Sequence, residues 1–150
     1  MAVTFTNNWK NILDKLESIL ETEFKGALRV YKGNTIPKGV TQAVQLIPIG
    51  SILSEYNQTS ETREFTIEVR FIFNEVNITE TALDHVLRYV SRIEALIHDN
   101  TAMTLDKGSD ADNSNAFNCR FESTELNADE ESGIYVVIWE YKCQHLGNVG

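Results

Sequence analysis

The stretch Glu64-Phe65-Thr66-Ile67-Glu68-Val69-Arg70-Phe71-Ile72-Phe73 decides the fold. Phe65, Ile67, Val69, Phe71 and Phe73 share one parity; Glu64, Thr66, Glu68, Arg70 and Ile72 share the other. Successive side chains of a strand point to opposite faces, so this strand has one apolar side and one largely polar side. That alternation belongs to an antiparallel sheet covered on one face only. The rest of the chain must supply the cover.

Two amphipathic helices do so. From Trp9 to Phe24 the apolar residues are Trp9, Ile12, Leu13, Leu16, Ile19, Leu20 and Phe24, a single stripe at helical spacing. Thr6 or Asn7 caps its start and Gly26 ends it. A second helix, Thr79 to Asp99, carries the stripe Leu83, Val86, Leu87, Val90, Ile93, Leu96 and Ile97. Asn77 and Glu80 resemble a capping box at its start. Asp84, Arg88, Arg92 and Glu94 lie off the stripe.

Further strands flank these elements. Ala27–Lys32 reads as a strand entering the turn Gly33-Asn34, and Thr35–Thr41 as a loop holding Pro37 and Gly39. Ala43–Ile49 reads as a second strand. Pro48 has no N–H to give a ladder, which predicts a sheet edge or a bulge there; Ile52–Tyr56 suits a continuation. Asn57–Thr62 has no apolar residue and reads as a loop, the tip of a long hairpin. Asn100–Ala116 is polar, with room for a short strand at Thr101–Leu105.

Phe117–Leu126 and Ile134–Leu146 form a closing hairpin, and Gly147–Gly150 a frayed end. Phe117, Cys119 and Phe121 are expected on one face, as are Val137, Trp139, Tyr141 and Cys143. One register sets Phe121 against Trp139 and Arg120 against Glu140. The alternative sets Cys119 against Cys143, but also Arg120 against Lys142 and Glu122 against Glu140. Like charges directly opposite are unfavourable, so the first register is expected, with neighbouring, unbonded cysteines. The order is α-β-β-β-α-β-β: an α+β fold, one domain over 1–150, a single antiparallel or mixed sheet with both helices on one face. Ile72, Ile138 and Leu126 are expected on the uncovered side, where an apolar patch suggests a partner.

Composition narrows the function. The 150 residues are 42% hydrophobic and 23% charged, with 22 acidic and 13 basic residues and a net charge of −9. This is the composition of a globular domain, not a disordered tail. The acidic balance argues against tight wrapping of nucleic acid. The start of the chain shows no signal-peptide pattern and no run is long enough to span a membrane, so a cytoplasm with reduced thiols is expected. Asn57-Gln58-Thr59 and Asn77-Ile78-Thr79 are then chance glycosylation triplets.

Tests for catalytic chemistry come out empty. His85, His98 and His145 read as surface or cap histidines with no ligand spacing. Cys119 and Cys143 read as buried thiols. Asp106 to Asn115 invites a calcium reading, but counted from Asp110 the positions that need Gly and Glu hold Asn115 and Phe121. No nucleophile elbow and no Gly-rich phosphate loop occurs. No catalytic residue, cofactor or metal is assigned.

The layout resembles the tail terminator (tail-completion) proteins of long-tailed bacteriophages. The resemblance runs over nearly the whole chain. It rests on the opening helix Trp9–Phe24, Gln45-Leu46-Ile47-Pro48-Ile49-Gly50-Ser51, the polar loop, Arg63–Phe73, the helix Thr79–Asp99, and Ile134-Tyr135-Val136-Val137-Ile138-Trp139-Glu140. It implies a small non-enzymatic virion protein, assembled in the host bacterial cytoplasm as a hexameric ring at the head-proximal end of the tail tube. Its implied partners are copies of itself, the tail tube protein and a neck or head-completion protein. DNA would pass through the lumen without specific binding, and net −9 per subunit would keep that lumen negative. Ring contacts would fall on the Ser54–Arg63 loop and the sheet edges: Ser54, Glu55, Tyr56, Asn57, Glu61, Arg63, Arg70, Asp110 and Asp112. The long Asn100–Ala116 loop departs from the pattern. The alternatives are another neck or head–tail connector protein, then a small-ligand-binding or enzymatic α+β domain.

Overall fold

A computed structural model describes residues 7–33, 40–58, 60–74, 80–105, 115–129 and 134–148. In chain order these form α1 (Asn8–Phe24), β1 (Arg29–Lys32), β2 (Gln42–Tyr56), β3 (Ser60–Asn74), α2 (Glu80–Asp99), β4 (Met103–Thr104), β5 (Asn115–Asp129) and β6 (Ile134–Asn148). The strands make one six-stranded sheet in the order β1-β2-β3-β6-β5-β4. It is mixed, because β1 runs parallel to β2 while the other pairs are antiparallel.

The deciding strand behaves as its alternation requires. Phe65, Ile67, Val69 and Phe71 are buried, and Phe73 is half-buried against them. Both helices cover this side. Trp9 of α1 meets Phe65 edge-on at 4.7 Å, and Tyr89 of α2 stacks between Phe24 and Phe71 at 5.1 and 5.5 Å. Trp139 is fully buried under α2, where its Nε1 donates to Glu94 at 3.2 Å. Asn7 caps α1 by accepting from the Lys10 N–H, and Lys25 and Gly26 close it in left-handed conformations. The Thr6 and Asn77 caps lie outside the described residues. Lys32 of β1 ties down α1 through Asp14 at 2.6 Å. Hydrogen bonds from Lys10 and Lys32 hold the Asp14 carboxyl below its usual value.

Several expectations need correction. The Asn57–Thr62 loop is shorter: β3 begins at Ser60 and the turn is held by Asn57 N–H to Ser60 O at 2.9 Å. Leu87 lies on the apolar stripe yet is 41% exposed. The closing hairpin takes the register with Arg120 opposite Lys142. Phe117 pairs with Gln144 on the uncovered face, away from Cys119, because a bulge intervenes at Asn118, whose φ is +53°. Leu126 pairs with the buried Val137 on the helix side, yet is 47% exposed because β5 lies at the sheet's margin there.

The Pro48 expectation holds in both its forms. The β2–β3 register shifts between Pro48 and Gly50, and β1 stops pairing at Leu46. Pro48 therefore sits where β2 has no outer neighbour to donate to, among the described residues.

Candidate interaction surface

Among the described residues no helix packs on the far side of the sheet, although Ala43, Gln45 and Thr62 on it are buried. By register its described residues include Glu55 on β2; Glu64, Thr66, Glu68, Arg70 and Ile72 on β3; Val136, Ile138, Glu140 and Lys142 on β6; and Arg120, Ser123 and Glu125 on β5. At its centre lies a charge network that explains the closing register. Glu64 reaches Arg120 at 3.2 Å and Lys142 at 3.6 Å, while Glu122 holds Arg120 at 2.7 Å and Glu140 holds Lys142 at 3.5 Å. Two cations oppose each other, but a carboxylate from the third strand bridges them. Repulsion between the two cations is thus offset by a third strand within reach.

The predicted contact residues fall in two places. Ser54, Glu55, Tyr56, Asn57, Glu61 and Arg63 gather at the end of the β2–β3 hairpin. Ser54 Oγ donates to Thr62 O at 2.9 Å where the register shifts again, and Arg63 pairs with Glu61 at 3.4 Å. Arg70 stands apart on the open face, paired with Glu68. Asp110 and Asp112, and with them the calcium-like loop, lie outside the described residues.

Ile49, Ile52, Leu53 and Leu146, which the sequence reading did not assign to the surface, join Tyr56 at this hairpin. Ile49, Ile52, Leu53 and Tyr56 are 60%, 66%, 44% and 64% exposed, and Leu146 of β6 is exposed beside them. Tyr56, Asn57, Ser60, Thr62 and Leu146 line a hollow there. The signal in the sequence was the pair Ile52-Leu53, which puts one large apolar side chain on each face of any strand that contains it.

The polar chemistry elsewhere is structural. His145 is buried, contrary to the surface reading; it continues the odd-numbered face of Val137, Trp139, Tyr141 and Cys143. His85 is half-buried, its Nε2 3.1 Å from Gln42 Oε1 and its ring against Phe73 and Tyr89. His98 is exposed near the α2 C-terminus, as expected. Cys119 and Cys143 are buried, neighbouring and unbonded. The Cys143 thiol hydrogen-bonds to Cys119, lowering Cys119 to about 7 and pushing Cys143 up. No three His, Cys, Asp or Glu residues among those described converge as a metal site would need.

No family profile matches the chain, and no curated relative does. Among solved structures it is similar to a chain of the "Virion of native gene transfer agent (GTA) particle". The two are 9% identical, with a TM-score of 0.57 over 94% of this chain and 97% of that one. At that identity the likeness is one of fold.

Proposed function

We infer that this chain is a structural component of a phage-like virion, and specifically a tail terminator. One observation carries the reading: its fold matches, nearly end to end, that of a chain in a gene transfer agent virion. A sheet covered on one side, with an open face and an exposed hairpin, suits a part that binds large protein surfaces by repetition. In this reading copies form a ring, with six as the expected number, at the head-proximal end of the tail tube. The ring stops tube growth and offers its other side to a neck or head-completion protein. The chain acts as a non-enzymatic part of the particle, and DNA passes through the lumen.

The lumen charge becomes more specific. If the open face lines the ring, Glu55, Glu64, Glu68, Glu122, Glu125 and Glu140 are set against Arg29, Arg70, Arg120 and Lys142. The acids hold only a small majority. The lumen is then mildly negative rather than a concentrated share of the whole −9.

Electron microscopy of the purified protein, alone and with tail tubes from the particle whose genes encode it, tests the reading. Rings that cap tubes support a terminator. Rings that ignore tubes but bind the head-side connector favour another neck protein. A monomer that neither caps tubes nor binds connectors sinks both.

A further inference from the structure

We propose that copies of this chain join edge to edge, the outer rim of β2 in one copy pairing antiparallel with the outer rim of β5 in the next. The partner is a second copy of this chain, and the proposal rests on the ring reading above while naming the contact that closes it.

Both rims lack a strand neighbour over similar lengths among the described residues. Among the described residues no strand pairs with β2 beyond Leu46, which leaves Ile47–Tyr56 open. On the far side β4 pairs only with Asn115 and Ala116, and Thr101 O takes the Cys119 N–H at 2.9 Å. Among the described residues that leaves Arg120–Asp129 without a strand neighbour on the outer side of β5. Unpaired rims recruit further strands unless something blocks them. Here β1 and β4 block opposite ends of opposite rims. Five large apolar residues stand exposed on the two open stretches: Ile49, Ile52, Leu53 and Tyr56 on one, Leu126 on the other. The two rims also have the right sense. Directions alternate along β2, β3, β6 and β5, so β2 of one copy meets β5 of its neighbour antiparallel.

Charge selects the register. Open-face residues must meet open-face residues for the sheet to continue. Two registers do this with equal overlap. One sets Glu55 against Glu122, a like-charge opposition; the other sets Glu55 against Arg120 and Ile52 against Ser123. The second is the one proposed.

Its geometry closes. Glu55 is level with Thr62 of β3, whereas Arg120 is level with Lys142 and hence Thr66. Each copy therefore slides four residues against the next, about 14 Å at 3.4 Å per residue, across about 19 Å of four strands. The ratio tilts the strands by about 35°, within the 35–45° that closed barrels adopt. This tilt does not depend on the number of copies.

Disulfide trapping tests the contact. Antiparallel partners have Cα atoms about 4.5–5.5 Å apart, within disulfide reach. Ile52→Cys with Ser123→Cys, treated with copper phenanthroline, is expected to give a ladder of covalent multimers on non-reducing gels. Ile52→Cys with Asn127→Cys, and each single variant, are expected to give none. Light scattering and electron microscopy of the same samples, with and without tail tubes, separate the failures. Rings without a 52–123 ladder overturn the edge contact and leave the ring reading standing. Monomers without a ladder, even with tubes present, overturn both.

Discussion

Replacing Glu64 by Gln removes the carboxylate that bridges Arg120 and Lys142. The residue is mostly covered, and its contacts are 3.2 Å and 3.6 Å. Partly exposed pairs contribute about 0.2–1 kcal/mol each. Two cations left facing each other across a ladder cost about 0.2–1 kcal/mol more. Glu64→Gln should therefore destabilise the fold by about 1–2 kcal/mol. For a chain of this length that lowers Tm by about 2–8 °C, at 2–4 °C per kcal/mol. Urea unfolding followed by tryptophan fluorescence measures it. The deficit should shrink in 1 M salt, where screening acts over about 3 Å. Adding Lys142→Met should restore part of the loss, because the unbridged neighbour is gone. A Glu64→Gln variant as stable as the parent, with no rescue by the second change, would refute the network and the β5–β6 register built on it.

Trp139→Phe keeps the stack on Phe121 but loses the bond from Nε1 to Glu94; thermal unfolding should show a loss of about 1–2 kcal/mol, from the bond and the vacated volume. Asp14 has a depressed folded value, so its stabilisation is full above its unfolded value of 3.8 and disappears as pH falls through the folded one. Asp14→Asn should thus cost about 0.2–1 kcal/mol at pH 7, discounted for exposure, and nothing near pH 2; unfolding curves at the two pH values check this. Thiol titration with Ellman's reagent should be slow for the native chain despite the lowered Cys119 value, since both sulfurs are buried, and should give two equivalents after unfolding. Asn118→Val should cost about 1–2 kcal/mol because a β-branched residue resists positive φ, whereas Asn118→Gly should be close to neutral by the same measurement.

The parity of Phe65 to Phe73 was readable because side-chain direction in a strand is local, and both helices were readable from their stripes for the same reason. The parallel pairing of β1 with β2 was not, since nothing in Arg29–Lys32 records which neighbour it meets. The closing register failed on two counts. One extra residue at Asn118 shifts every later pair, and the carboxylate that makes the cation pair tolerable comes from β3, more than fifty residues away. His145 was within reach: the odd-numbered parity of β6 runs straight through it. For the candidate surface, the polar hairpin end was legible as a tip. Its apolar flank was hidden by the habit of reading isoleucine and leucine as core, when β2 outruns the helices that cover its first half.

The brevity of β1 and β4 has a consequence for how the chain behaves when crowded. Among the described residues, four on one flank and two on the other are all that guard the two borders. If the two borders pair as proposed, concentration alone drives growth: light scattering should rise as the chain is concentrated and fall again on dilution.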